Sequence, residues 1–325
     1  MKIKSLEDRI VDALAALLVS LFALACLYPI LYCFSMSLSG DDAILKCSVR
    51  LLPRGFNLDS YKAVFANPEF LISFKNSVVY TVLGTAFSLL CNLSLGYVLS
   101  RRNFVFKKAL TVFILIPMMF GGGLIPTFLL IKSLHLYNTI WAIVLPGAVS
   151  IWNSILAKTF YQSTIHDSLI ESAVIDGAND IQIFVRIVLP LSTTIIAILA
   201  LYAAVGLWND YFSAMIYLRD EALKPLQLYL KEVLAAQASM SAISSMLSPE
   251  DYVNNYVASQ RIKYVLIIVS TLPIMLGLSV HSEIFCQGRH ARLRQGLSRS
   301  RPLHQQRGEP FMRFSPFFTN LWRSL

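Results

Sequence analysis

Six stretches of this 325-residue chain are apolar for long enough to cross a lipid bilayer. A helix needs roughly 20 apolar residues to span the hydrocarbon core. A backbone in lipid must also satisfy its own hydrogen bonds, so such stretches become helices. The candidates are residues 11–36, 71–99, 110–131, 139–160, 188–218 and 265 to about 280. Composition agrees: 56% of the residues are hydrophobic and 14% charged, against about 45–50% and 25% in soluble domains. No single water-soluble core hides that much apolar surface. The pattern excludes an ordinary cytosolic enzyme, a disordered chain and a secreted disulfide scaffold. The expected fold class is an all-α membrane protein.

Orientation follows from loop charge. The loop after the second run holds Arg101, Arg102, Lys107 and Lys108 with no acid, a strong positive-inside signal. It places the N-terminus in the cytoplasm, as do Lys2, Lys4 and Arg9 before the first run. That run is too long for a signal-peptide core of ~7–15 residues and is read as a span. Lys75 lies near the outer end of the second run, where its stem can snorkel. Helix breakers interrupt several runs: Gly121-Gly122-Gly123 with Pro126, Pro146-Gly147, and Pro273. Breaks at membrane depth are tolerated where neighbours or a water-filled path satisfy the freed backbone groups; glycine also permits close helix packing.

The formal net charge of +9 is a property of the C-terminal tail: from Cys286 onward there are eight arginines, no lysine and one acid, Glu309. The five cysteines form no CxxC pair and no histidine stands at ligand spacing. Neither a disulfide framework nor a metal site is expected, and no cofactor.

The most informative segment joins the fourth and fifth runs, from Asp167 to Pro190. Its spacing predicts a short helix, a turn at Gly177 and a second helix. Leu169, Ile170, Ala173 and Val174 recur at helical spacing, as do Ile181, Phe184, Val185 and Val188. Pro190 opens the next run. An amphipathic hairpin of this kind, lying at the membrane surface, suits a partner's groove.

Glu171-x-Ala173, Gly177 four residues on, then Ile187-x-Leu189-Pro190 resembles the EAA loop of binding-protein-dependent ABC importer permeases; Ser172 stands where a middle alanine is common. Asp176-Gly177-Ala178 and Trp208-Asn209-Asp210-Tyr211 agree with that family, as do Leu226-Gln227-Leu228 and Thr271-Leu272-Pro273. The third run, from Pro117 through Phe120 and the glycines to Pro126, is similar to the branch that imports complex oligosaccharides. The resemblance covers roughly residues 4–273.

The resemblance implies the type I importer permease fold: six transmembrane helices with a cytoplasmic coupling-helix hairpin between helices four and five. It implies an N-terminal helix and outer loop (1–70), a permease core (71–281) and a tail (282–325). The implied partners are a second permease, a dimeric ABC ATPase, an external solute-binding (lipo)protein and a sugar or oligosaccharide, in a prokaryotic cell membrane. The ATPase-coupling residues would be Glu171, Ala173, Asp176, Gly177, Ala178, Ile187, Leu189 and Pro190. Glu171 would touch the ATPase, Ala173 would allow close docking, and Gly177 would turn the backbone. Residues expected on the translocation path are Phe120, Gly121, Gly122, Gly123, Asn153, Trp208 and Asn209.

The chain departs from the family at its end. Members finish with Tyr-Pro-Phe, an aromatic-basic stretch and Val-Lys-Gly; here Val280-His281-Ser282-Glu283 leads into the arginine-rich tail. Residues 278–296 can be encoded so that the frame one nucleotide later spells the family ending. A one-base shift near Met275 to Leu278 is therefore expected, with 282–325 out of frame and disordered. Resequencing that stretch of the gene decides it.

Two other classes fit the residues less well. An ion-coupled secondary transporter usually shows paired intramembrane charges and internal repeats; Asp210, near a span end, is the main acid here. A membrane enzyme needs a catalytic constellation at depth, and none is present. The chain lacks the G-x-x-x-x-G-K-[ST] phosphate loop, so any ATP hydrolysis belongs to a partner.

Overall fold

The protein was described from a computed structural model, which covers residues 6–46, 48–102, 104–243, 257 and 259–277. No strand occurs among them. The tail from residue 278 onward, Cys286 included, lies outside the described residues.

Among the described residues three helices are long and apolar enough to cross a membrane: Ile10–Ser37, Pro68–Ser100 and Ser259–Gly277. The first belongs to α1 (Leu6–Ser37), which leads through α2 (Asp41–Leu45) and α3 (Asp59–Ala66) to α4 (Pro68–Ser100). Two further pairs pass the same test but are sharply bent. Between α5 (Lys107–Met119) and α6 (Leu124–Ser133) the bend is 118°. It falls on the three glycines, with Gly123 at φ +83. The second bend, 84°, lies between Asp180–Leu191 and Thr193–Trp208.

The expected fourth run, 139–160, is divided. It contains α7 (Trp141–Val144), an irregular stretch at Pro146-Gly147, and α8 (Ile151–Thr164). α8 has 14 residues, about 21 Å at 1.5 Å per residue, short of the ~30 Å hydrocarbon core. The expected fifth run is also divided. α9 (Asp167–Ile175), α10 (Asp180–Ile183), a π-turn (Phe184–Val188) and α11 (Leu189–Leu191) form a hairpin before it. α12 (Thr193–Trp208) follows, then a break and α13 (Phe212–Tyr217). α14 (Leu226–Ile243) and α15 (Ser259–Gly277) complete the described residues. Pro273 does not break α15; it lines a small apolar cavity of about 180 Å³ with Trp208, Val78 and Leu201.

α4 is the mast of this arrangement. Tyr80, Gly84, Ser88, Asn92 and Gly96 are all buried, one every four residues. Small residues at that spacing form a shallow seam that admits another helix. A Cβ at Gly84 would meet Leu207 of α12 at 2.5 Å, and one at Gly96 would meet Ala157 of α8 at 2.6 Å. The absent side chains are what let α8 and α12 lie against α4.

Three apolar clusters surround the mast. Near its C-terminal end, Leu93 and Tyr97 pack with Ala157, Tyr161 and Ile165 and with the hairpin. Tyr80, Ile131, Ala142, Ile143 and Tyr217 form a second cluster. Phe70, Trp208, Leu226 and Val265 form a third. At the N-terminal end of α4, polar side chains bolt down the loop before α14. Asn76 donates to the Ala222 carbonyl at 2.8 Å, Tyr80 donates to that of Leu223 at 2.7 Å, and Ser77 accepts from the Leu226 N–H at 2.7 Å. Lys224 in that loop is hydrogen-bonded to Glu232 and lies beside Glu221, which hold its pKa above the ordinary lysine value.

Candidate functional site

The hairpin between α8 and α12 is built from local rules. Asp167 lies in the first turn of α9, where a negative charge suits the helix dipole. At the other end the Gly177 N–H donates to the Val174 carbonyl at 3.0 Å and the Ala178 N–H to that of Ala173 at 2.9 Å. This pair of bonds is the Schellman motif, which requires the next residue to be left-handed. Gly177 supplies it at φ +81. Asn179 then caps α10: its side chain accepts from the Gln182 N–H at 2.8 Å, and Gln182 accepts from the Asn179 N–H at 3.0 Å. This reciprocal box starts the second arm without a gap. Pro190 has no N–H for the preceding turn, and the backbone widens to π geometry over Phe184–Val188 just before it. The 84° bend follows at Ser192.

The hairpin has two faces, and their division differs from the sequence expectation. Ile170, Ala173, Ile183 and Val188 face inward onto Leu93, Tyr97, Tyr161 and Ile165. Leu169 and Val174, expected beside Ile170 and Ala173, are exposed; so are Ile181 and Val185. Of the second predicted set, Val188 is buried and Phe184 partly so. A wheel cannot separate an apolar side chain that packs inside the chain from one left on its surface. The outer face carries Glu171 and Asp176 together with Val174 and two well-exposed isoleucines, Ile175 at 84% and Ile181 at 74%.

The motif residues divide the same way. Ala173 is only 8% exposed, so its small side chain permits close packing within the chain. Ala178, Ile187 and Leu189 pack partly against the same cluster. Glu171, Asp176, Gly177 and Pro190 are on the surface.

Tyr97 is the socket beneath the hairpin. Its ring lies 4.9 Å from Phe184 and 6.4 Å from Tyr161, with the Arg101 guanidinium 5.4 Å above it. Sequence reading missed this residue and Asn92. The available signal was the buried stripe at four-residue spacing along α4, which a search for apolar runs overlooks. Arg102 also pairs with Asp167 at 3.2 Å, an exposed contact of small energetic weight.

The expected path residues differ in exposure. Phe120, Gly121, Gly122 and Gly123 lie at the α5–α6 bend and are exposed. Asn209 is exposed, and its amide donates to the Val205 carbonyl at 3.0 Å. Trp208 and Asn153 are buried within the chain. The Trp208 indole N–H donates to the Ser270 carbonyl at 3.0 Å, and its ring meets Phe74 edge to face. A ring held on both its polar and apolar sides serves packing. Among the described residues no group of three or more His, Cys, Asp or Glu could hold a metal ion.

Among the described residues the structure is all-helical, with broken apolar helices and an exposed hairpin on rigid supports, and the proteins it is similar to are membrane subunits of transporters. The chain belongs to the family of binding-protein-dependent transport system inner membrane components, whose model matches residues 84–280. It is 36% identical over 287 residues to the polygalacturonan/rhamnogalacturonan transport system permease protein YtcP of Bacillus subtilis, covering 87% of this chain and 97% of that one. It is 38% identical over 261 residues to protein LplC of the same organism, covering 80% and 86%. Among solved structures it resembles a chain of a bacterial ABC transporter involved in the import of the acidic polysaccharide alginate. The TM-score there is 0.77 at 32% identity, over 88% of this chain and all of that one.

Proposed function

We propose that this chain is one of two membrane subunits of an ATP-driven importer of oligosaccharides, spanning a prokaryotic cell membrane six times with its N-terminus in the cytoplasm. Residues 1–70 add a helix and an outer loop to a core at 71–281. The fourth span is the broken α7–α8 unit, whose two short helices together supply the needed length. The acid-free Arg101, Arg102, Lys107 and Lys108 loop supports the orientation.

The observation that carries this reading is the hairpin's outer face. Ile175 and Ile181 are among the most exposed aliphatic side chains of the segment, yet they sit beside a loop read as cytoplasmic. Exposed apolar groups rimmed by acids mark a docking surface. The occupant is a cleft in a dimeric ATPase, with Glu171 and Asp176 at the rim. ATP closes that dimer and moves the hairpin, and the permease changes from inward-facing to outward-facing. Nucleotide and ligand thereby bias a two-state equilibrium. An external binding protein delivers the sugar. The path runs by the exposed α5–α6 bend at Phe120 and Gly121 to Gly123, with Asn209 on the neighbouring span.

The substrate class is an oligosaccharide, with uronate-containing chains the first to test, since the relative at 36% identity is named for polygalacturonan/rhamnogalacturonan transport and the solved structure at 32% for import of the acidic polysaccharide alginate. The test is uptake of labelled oligogalacturonate and oligoalginate by vesicles holding the assembled complex. Uptake is expected to require ATP and binding protein and to survive collapse of the ion gradients. Uptake that ignores ATP and stops when the gradients collapse overturns the reading in favour of an ion-coupled transporter.

A further inference from the structure

We propose that Asn92 is the positioning residue that makes α4 and α8 move as one body, handing the displacement of the hairpin to the broken fourth span. The proposal rests on the reading of the hairpin as the ATPase contact.

Asn92 is 1% exposed in the C-terminal third of α4, and its amide serves the irregular backbone between Pro146-Gly147 and the start of α8. The Asn92 Nδ2 donates to the Ala148 carbonyl at 2.9 Å and, within α4, to the Ser88 carbonyl and hydroxyl at 2.6 and 2.9 Å. Its Oδ1 accepts from the Ser150 N–H at 2.9 Å and from the Ser154 hydroxyl at 2.8 Å. Ala148 and Ser150 are backbone groups that Pro146-Gly147 removes from regular helix. A freed backbone group in an apolar interior is costly unless a partner is supplied. One side chain supplies it here. The orientation of the amide is set by the network, because the flipped form would turn its NH2 toward the Ser150 N–H.

The second link is geometric. α8 begins at Ile151, beside this clamp, and ends at Thr164, two residues before α9 begins at Asp167. Between those ends α8 stays against α4: Gly96 admits Ala157, and Tyr97 meets Tyr161. α9 and α10 close the same cluster. α7, on the other side of the break, packs in a different cluster through Ala142 and Ile143. The clamp therefore sits at the seam between the part that carries the hairpin and the part that does not. A displacement of α9 that moves α8 moves α4 with it, and the break takes up the change of angle.

The test uses the whole complex in vesicles: this chain, its sister permease, the ATPase and the binding protein. The readout is sugar transported per ATP hydrolysed, with the ratio of ATPase activity in the presence and absence of binding protein. Asn92→Leu keeps the volume and loses every bond. It is expected to lower both ratios about five- to tenfold while the subunits still assemble. Asn92→Asp keeps acceptors for Ser150 and Ser154 but turns an oxygen toward the Ala148 and Ser88 carbonyls, so it is expected to lose at least as much as Asn92→Leu. A merely structural role would lower the amount of complex and leave the ratios of the surviving complex unchanged. If Asn92→Leu does not assemble, Ser154→Ala decides: it removes one bond, and a drop of about twofold or more is expected, whereas wild-type ratios overturn the proposal. Glu171→Lys in the same assay separates the two readings. Wild-type ratios for Asn92→Leu beside a loss for Glu171→Lys overturn this inference alone. Wild-type transport by Glu171→Lys overturns the assignment of the hairpin beneath it.

Discussion

Gly177→Val is expected to lower uptake by about thirtyfold while the chain still reaches the membrane. The glycine sits at φ +81 with nothing within 4 Å of the position a Cβ would take. Space is therefore not the obstacle; the backbone is. A left-handed residue other than glycine costs ~1–2 kcal/mol, and a β-branched one lies at the unfavourable end. The alternative is to leave that conformation, which gives up the two Schellman bonds from Gly177 and Ala178 at ~1 kcal/mol each. Either route costs roughly 2 kcal/mol, or about thirtyfold in the population of the correctly turned hairpin. The turn is on the surface and the apolar packing around α4 is far larger, so insertion is preserved. Gly177→Asn, which tolerates the left-handed region, should lose much less. Uptake and membrane abundance measured on the same cells check both. Equal uptake by wild type and the valine variant would show that the turn is not needed in this conformation.

The second large effect is expected from Glu171→Lys. Glu171 is exposed and makes no ion pair among the described residues. An exposed substitution of this kind changes stability by about 0.5 kcal/mol or less. At an interface the same change sets like charge where opposite charge is read, which costs several kcal/mol. Uptake should fall by a hundredfold or more, roughly 3 kcal/mol, with the permease present at the wild-type level. Glu171→Gln, which removes the charge without reversing it, should fall between the two. A variant that is degraded would show as a lost band in the membrane; normal uptake from a normal band would remove Glu171 from the docking face.

Much of the fold was legible in the sequence. The first two runs, 11–36 and 71–99, match the helices Ile10–Ser37 and Pro68–Ser100 closely, because continuous apolar segments leave the backbone no alternative in lipid. The breaks at Gly121–Gly123 and Pro146-Gly147 were also readable, since both residue types carry a steric or hydrogen-bonding reason to interrupt a helix. The bend at Ser192 was not. Ser192-Thr193-Thr194 contains no breaker, and the departure begins upstream, in the π-turn before Pro190. Pro273 misled in the other direction: α15 continues through it, as helices in lipid do when neighbours cover the freed carbonyl.

The site was legible in its location and less so in its faces. Gly177 and the position of the turn followed from residue chemistry alone. The inward direction of Ala173 did not, because a small residue fits either a partner or the chain's own α8, and only the cluster around Tyr97 and Tyr161 distinguishes them. Asn92 was invisible to a search for apolar runs, being one polar residue in a long span. Its meaning depends on Ala148, Ser150 and Ser154, which lie more than 50 positions away.

The most direct test of the central claim is to solubilise the native membrane gently, capture this chain and identify by mass spectrometry what accompanies it. An ABC ATPase, a second six-span permease and an extracellular solute-binding lipoprotein are expected together. The ATPase should be depleted when the bait carries Glu171→Lys. Recovery of this chain alone, still competent for ion-driven uptake, would contradict the account.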